Sequence, residues 1–184
     1  SNDYPIDFTD IYNSSKLRDI KNARIILMRA EMKMGKTNKC KEYINKYFTE
    51  SSKIVFVTFR KTFSSDIQSR FDNFTLYSDI TGEIDMFVNK RLIIQVESLH
   101  RINLQSITNT DLVILDECES IWDQFSSGTM KNINECINKF VYLLKKSNNI
   151  LCMDANLNDR TYRLLSKIIP DKIRKDGIYL HWNK

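Results

Sequence analysis

The sequence has few histidines and cysteines and no long apolar run. It has two histidines and four cysteines, and no cysteine lies at C-x-x-C spacing from another or at metal-ligand spacing from a histidine. No apolar run approaches the length of a membrane span, and no secretory leader is visible. We therefore expect an intracellular protein with no membrane partner, whose isolated cysteines are buried and reduced.

Glycine and proline are also scarce, at four and two residues, so polar side chains must build the loops. The 184 residues are 42% hydrophobic and 28% charged, which predicts one soluble domain with a sizeable core. The formal net charge of +5 permits an anionic partner without requiring one.

Short apolar runs alternate with helical patterns along the chain. The predicted strands are 25–28, 53–59, 91–96, 111–116, 149–154 and 177–182, the last leading out of the domain. The predicted helices are 36–44, 63–71, 97–102, 129–146 and 159–169. This alternation predicts an α/β fold, a mostly parallel sheet covered by helices on both faces. Ligands of such folds bind beyond the carboxyl ends of the strands.

The stretch 24–37, RIILMRAEMKMGKT, has the strand–loop–helix order of a phosphate-binding loop, or Walker A motif. Backbone N–H groups of such a loop and the helix N-terminus hold a triphosphate, and the lysine reaches its terminal phosphates. The first glycine of the usual pattern is replaced by Ala30. The alternative is a lysine-rich turn that contains Gly-Lys-Thr by chance.

A second apolar strand ends in two adjacent carboxylates, Asp116 and Glu117, as in a Walker B motif. Together with the phosphate loop, they predict that Asp116 and the Thr37 hydroxyl hold Mg²⁺ and that Glu117 polarises the attacking water. We expect the two motif strands to be neighbours in the sheet. The alternative is a solvated acidic helix start, which the helix dipole favours.

Five segments in this order, AEMKMGKT, TFRKTF, QVESLHR, DECE and MDAN, resemble the first lobe of superfamily 2 helicases. The closest resemblance is to the origin-of-replication-binding helicases of large DNA viruses, the herpesvirus origin-binding protein family. The resemblance implies a RecA-like three-layer fold over residues 22–184, preceded by an N-terminal extension, 1–21. It also implies an ATP-binding lobe of a nucleic-acid-dependent ATPase in viral DNA replication, at a host nuclear or cytoplasmic site, with ATP and Mg²⁺.

The resemblance also implies roles for individual residues. Lys36 and Thr37 would bind the phosphates and Mg²⁺, and Glu119 would link the ATP site to the coupling residues Asp154 and Asn156. The remaining implied residues are the phosphate cradle, Ala30, Glu31, Met32, Lys33, Met34 and Gly35, and the residues that grip single-stranded DNA, Thr58, Phe59, Arg60 and Ser98. Hydroxyl, guanidinium and backbone groups suit phosphates and do not read sequence. The alternatives are a surface salt bridge for Arg60 and a helix N-cap for Ser98.

Two departures from the family pattern qualify these expectations. Lys33 stands where such helicases often carry glycine. The chain also ends where a second lobe, which normally supplies an arginine finger, is expected to begin. We therefore expect a fragment that binds nucleotide and hydrolyses it weakly by itself.

Two other function classes fit parts of the pattern. A phosphate-loop kinase would need an arginine-rich lid and an acceptor pocket, and neither is legible in the sequence. A degenerate nucleotide-binding module would dock DNA without hydrolysing ATP.

Overall fold

The computed structural model describes residue 20 and the ranges 23–30, 35–60, 67–71, 73–173 and 177–182. Within them the strands are β1 (Ile25–Arg29), β2 (Ile54–Thr58), β3 (Thr75–Leu76), β4 (Arg91–Gln95), β5 (Thr110–Asp116), β6 (Ser147–Asp154) and β7 (Ile178–Trp182). The helices are α1 (Gly35–Tyr47), α2 (Cys118–Ser126), α3 (Ile133–Lys146) and α4 (Asp159–Ile168). The N-terminal extension predicted for 1–21 lies outside these ranges, apart from Ile20.

One seven-stranded sheet organises the described residues, in the order β3-β4-β2-β5-β6-β1-β7. Every pair of neighbouring strands is parallel. Consecutive residues of β2 and nearly all of β5 are buried, although successive side chains point to opposite faces. Both faces of these strands are therefore covered, and the predicted α/β fold is confirmed.

The core lies between the central strands and the apolar sides of the helices. Phe140, Leu143 and Leu144 of α3 are buried, and the ring of Phe140 packs edge-on against Trp122 of α2. All four cysteines are buried and free, as predicted. No described helix has the length and apolar composition that crossing a bilayer requires.

The strand order corrects the expectation that the two motif strands are neighbours. β6 pairs with β5 on one side and with β1 on the other, and therefore separates them. Long-range pairing decides this order, and the local patterns that predict each strand carry no information about it. Asp154, at the end of β6, consequently lies opposite Arg29 of β1, between the ends of the two motif strands.

Helix boundaries also differ from the predictions. α3 begins at Ile133 and not at Thr129, because Asn132 adopts a left-handed backbone conformation with φ 55° that an α-helix cannot contain. The helix predicted at 97–102 is a 3-10 helix, Val96–Arg101. The prediction for 63–71 lies partly outside the described residues, of which 67–70 are helical.

The last predicted strand, 177–182, is confirmed, and one helix after β5 was not predicted. The strand is β7, which pairs with β1 at the edge of the sheet. α2 was not predicted, since its few turns follow the acidic motif directly and offer a short periodic pattern.

Candidate functional site

The site lies beyond the carboxyl ends of β1, β5 and β6. Lys36 follows β1 in the first turn of α1, Asp116 ends β5 and Asp154 ends β6, and Glu117 lies between β5 and α2. All four side chains belong to residues that are less than a tenth exposed. Three carboxyl groups and one lysine are thus buried together, and a metal cation would stabilise the ionised form of the carboxyl groups.

Lys36 is held close to the acidic residues without forming a salt bridge to them. Its charge lowers the pKa of Asp116, yet no described carboxylate lies within 4.0 Å of its Nζ. The N-terminus of α1 adds partial positive charge beside it. Lys36 therefore keeps its ammonium group available for an anion.

The described residues leave space beside Gly35 at the start of α1. A Cβ added at Gly35 would meet no described atom within 4 Å, and the residue does not have a positive φ. Among the described residues, neither packing nor backbone conformation thus requires glycine here. Close approach of a ligand would require it. Ala30 is buried after β1, whereas Glu31, Met32, Lys33 and Met34 of the predicted cradle lie outside the described residues.

Asp116 is the most perturbed carboxyl group of the site. Burial raises the pKa of Asp116 to about 7, with further raising by Glu117 and Asp154, while the Lys36 ammonium opposes the rise. Its Oδ2 atom is buried and has no hydrogen-bond partner among the described residues. A buried carboxylate oxygen without a hydrogen-bond partner destabilises the fold unless a ligand binds to it.

The residues at this position fit a magnesium ion. Among the described residues no three His, Cys, Asp or Glu side chains gather as a metal cage. Mg²⁺ commonly binds through one or two carboxylates together with substrate phosphates and water. Asp116 Oδ2 supplies one such oxygen, and Thr37 lies next to Lys36 at the start of α1.

Glu117 has an unusual backbone and an unexpected partner. Its φ of 51° and ψ of 52° place it in the left-handed region, which is uncommon for glutamate and found often at functional sites. Its Oε2 atom lies 3.4 Å from Nε of Arg60. The predicted alternative of a salt bridge for Arg60 is therefore observed, and its partner is the residue expected to polarise water.

Glu119 and Asp154 connect the first turn of α2 to the segment after β6. The backbone N–H of Glu119 donates to Asp154 Oδ2 at 3.0 Å, and that of Asn156 donates to Asp154 Oδ1 at 2.8 Å. The Glu119 carboxylate accepts hydrogen bonds from Arg160 Nε at 2.8 Å and from Thr161 Oγ1 at 2.7 Å. A continuous polar network thus joins the acidic motif to α4.

Sequence reasoning missed the α4 side of this network. Arg160 also pairs with Asp123 at 2.7 Å, and Thr161 accepts a hydrogen bond from the indole N–H of Trp122 at 2.9 Å. Asn158 caps α4 by accepting from the Arg160 backbone N–H, so the helix start was readable from the sequence. The contacts of Arg160 and Thr161 with Glu119 were not readable, because about forty residues separate them.

The four residues expected to grip a strand differ in accessibility. The Arg60 side chain is 55% exposed, Phe59 and Ser98 are half-buried, and Thr58 is fully buried. The Thr58 hydroxyl donates to the Arg60 carbonyl at 3.4 Å, so it shapes the turn after β2. Ser98 lies inside the 3-10 helix whose N-cap is Gln95, which excludes the predicted N-cap alternative.

The chain is similar to viral replication proteins along nearly its whole length. A family model described as "Origin of replication binding protein" matches residues 2–174. A "Putative helicase/primase complex protein" of African swine fever virus (isolate Warthog/Namibia/Wart80/1980) is 42% identical over 179 residues, which are 95% of this chain and 16% of that protein. The "Replication origin-binding protein" of Human herpesvirus 6B (strain Z29) is 34% identical over 175 residues, 91% of this chain and 22% of that protein. The chain thus spans less than a quarter of the length of these relatives.

Solved structures share the fold at low sequence identity. A DEAD box protein from the hyperthermophile Methanococcus jannaschii superposes with a TM-score of 0.56 at 14% identity, over 88% of this chain and 46% of that one. A variant of S. cerevisiae Dbp5 bound to RNA and ADP BeF3 gives 0.56 at 15% identity, over 88% and 42%. These similarities confirm the predicted RecA-like helicase fold.

Proposed function

The chain belongs to the family of origin of replication binding proteins, and from that premise we propose that it is the ATP-binding lobe of a nucleic-acid-dependent ATPase. The observation that carries the proposal is the buried Asp116 Oδ2, which lacks a partner among the described residues beside the charge of Lys36. A triphosphate with its magnesium satisfies both groups at once. Family membership supports a viral replication protein with a helicase-type fold, and ATP hydrolysis is the proposal's further step.

In this proposal, Lys36 contacts the β- and γ-phosphates, and the backbone from Ala30 to Gly35 surrounds them. Thr37 Oγ1 and an Asp116 oxygen hold Mg²⁺, which, when bound, neutralises charge that develops on the phosphates during transfer. Because burial raises the pKa of Asp116 to about 7, a neighbouring cation would also favour the ionised form that binds it.

Glu117 orients the water that attacks the γ-phosphate in this proposal. Glu119, Asp154 and Asn156 transmit the state of the ATP site towards α4 through the hydrogen bonds described above. Because the Asp154 carboxylate accepts one N–H from α2 and one from the turn that follows β6, a movement of α2 relative to that turn would change the bond between Glu119 and Asp154.

The proposed nucleic-acid ligand is single-stranded DNA. Arg60 and Ser98 contact it at the surface, and Thr58 and Phe59 form the turn that supports this contact. The exposed guanidinium of Arg60 suits a phosphodiester, which it binds without regard to base sequence. A second lobe in the full-length protein would supply the arginine finger and set the turnover rate. The site of action would be a viral replication compartment in the host nucleus or cytoplasm.

Equilibrium binding of a fluorescent ATP analogue tests the nucleotide site directly. We expect Lys36→Ala to weaken Mg²⁺-dependent binding by about tenfold or more, the loss of roughly one charge-assisted hydrogen bond to phosphate. Lys41→Ala is the matched control, because Lys41 lies exposed on the same helix. Equal affinity for the two variants would contradict the proposal.

Turnover separates the proposed ATPase from a docking module that does not hydrolyse ATP. We expect Glu117→Gln to abolish hydrolysis by the full-length protein while leaving nucleotide binding intact. A docking module would instead retain DNA binding and wild-type function in that variant.

A further inference from the structure

Arg60 and Glu117 form an ion pair between two parts of the site that were predicted to act separately. The Nε–Oε2 distance is 3.4 Å, with the Arg60 side chain 55% exposed and that of Glu117 10% exposed. Among the described residues, Glu117 is the one carboxylate within ion-pair distance of Arg60. The two residues follow the neighbouring strands β2 and β5, where Val57 pairs with Leu115.

The backbone that carries Arg60 is held in place independently of this ion pair. Gln95 Nε2 donates to the Phe59 carbonyl at 3.3 Å, and Thr58 Oγ1 donates to the Arg60 carbonyl at 3.4 Å. Gln95 and Thr58 are buried at the ends of β4 and β2. Rotation of the Arg60 side chain alone can therefore break the ion pair without moving the turn.

The ion pair is weak enough for a stronger anionic partner to replace it. A half-exposed pair contributes little stability, because solvent screens it and ordering the side chain costs entropy. A guanidinium can bind a phosphate through two parallel N–H groups, whereas its contact with Glu117 is a single one at 3.4 Å. A phosphodiester at the surface would thus displace Glu117 from Arg60.

We propose that Arg60 is a positioning residue that couples nucleic-acid binding to ATP hydrolysis, because Glu117 and a nucleic-acid phosphodiester compete for its guanidinium. This inference rests on the proposed ATPase function. Without nucleic acid, Arg60 draws the Glu117 carboxylate towards itself and weakens it as a hydrogen-bond acceptor for water. With nucleic acid bound, Arg60 turns to the phosphodiester and Glu117 is free.

The chemical step that Glu117 then assists is the hydrolysis of the γ-phosphate. The water oxygen forms a bond to the γ-phosphorus, and the bond from that phosphorus to the β,γ-bridging oxygen breaks. ADP leaves with the bridging oxygen, and the proton of the attacking water passes by way of the Glu117 carboxylate to the phosphate product or to solvent. No oxidant or further reactant is needed.

Steady-state ATPase assays of the full-length protein test the coupling, with and without saturating oligo(dT). A pair worth up to about 1 kcal/mol limits the gain from its loss to about fivefold. We therefore expect Arg60→Ala and Arg60→Gln to raise the basal kcat about two- to fivefold, with the KM for ATP unchanged. The stimulation by DNA should fall by the same factor.

Two controls separate coupling from other effects. Arg163→Ala removes a comparably exposed arginine, paired with Asp159 on α4, and should leave basal kcat, KM and stimulation as in the wild type. Thermal melts of each variant report folding, which loss of a half-exposed side chain should preserve.

Other outcomes overturn the inference in distinguishable ways. If Arg60 only grips DNA, the variants keep the wild-type basal kcat and need more DNA for the same maximal stimulation. If Arg60 is only structural, the melting temperature falls together with ATP affinity, and the basal rate does not rise. Failure of the ATPase proposal itself looks different, since hydrolysis would then be absent from the wild type or insensitive to Lys36→Ala.

Discussion

At the scale of single residues, Asp116 contributes a dependence of the free energy of unfolding on pH. Burial raises the pKa of Asp116 from 3.8 to about 7 in the folded chain. The folded state therefore binds an extra proton between about pH 4 and pH 7, and stability falls as the pH rises through this window. Ionised Asp116 without a bound cation is a cost to the fold.

Replacing this carboxylate should remove the cost. We expect Asp116→Asn to be more stable relative to the wild type at pH 8 than at pH 4.5, by on the order of 2–4 kcal/mol. Chemical denaturation at both pH values measures the difference, with the exposed Asp171→Asn as control. If the difference in stability between variant and wild type does not change with pH, the pKa of Asp116 is the same in the folded and unfolded chain, which would contradict the prediction.

Local sequence patterns predicted the individual strands and the residues at their ends. Lys36, Asp116 and Asp154 each follow a short buried run, so their positions beyond the parallel strands were readable from the sequence. The pairing of Arg60 with Glu117 was not readable, because it depends on the adjacency of β2 and β5 and on a left-handed backbone at Glu117. No local propensity encodes either condition.

At the scale of elements, α4 is attached to α2 by a buried acidic side chain. Glu119 accepts from Arg160 and Thr161, and Arg160 also donates to the Glu119 carbonyl at 2.8 Å. The Glu119 side chain is 9% exposed, so removing Arg160 would leave a carboxylate in a poorly solvated position. This attachment keeps the end of the acidic motif in contact with the segment after β6.

Two arginines on the same helix allow a matched test of that attachment. We expect Arg160→Ala to lower the free energy of unfolding by about 2 kcal/mol, since Glu119 keeps the Thr161 hydrogen bond but loses its counter-charge. Arg163→Ala removes an exposed i,i+4 pair with Asp159 and should cost about 0.3–0.5 kcal/mol. Urea denaturation measures both, and equal losses would contradict the role given to Arg160.

The sequence predicted helices with a long periodic pattern. It did not predict a helix boundary that depends on the backbone conformation of a single residue. The pattern of α3 was recognised along most of its length, but its start depends on the left-handed Asn132. The sequence likewise predicted a helix after β4, and this segment is a 3-10 helix whose backbone also contacts α3. Lys139 Nζ of α3 donates to the His100 carbonyl at 2.7 Å, for example.

At the scale of the whole molecule, the parallel sheet brings the carboxyl ends of β1, β5 and β6 together on one side of the domain. β6 inserts between the two motif strands and places Asp154 between their ends, an order that long-range strand pairing decides and local patterns do not predict. Among the described residues, the unpartnered Asp116 Oδ2 and the space beside Gly35 suit the magnesium and the triphosphate of the proposed site. We propose that the ends of these strands hold the two ligands jointly.

A crystal structure with a non-hydrolysable ATP analogue and Mn²⁺ in place of Mg²⁺ tests this claim most directly. We expect the β- and γ-phosphates at Lys36 Nζ and an anomalous manganese peak about 2.1 Å from an Asp116 oxygen. Nucleotide bound elsewhere, or a metal that contacts neither Asp116 nor Thr37, would contradict the claim.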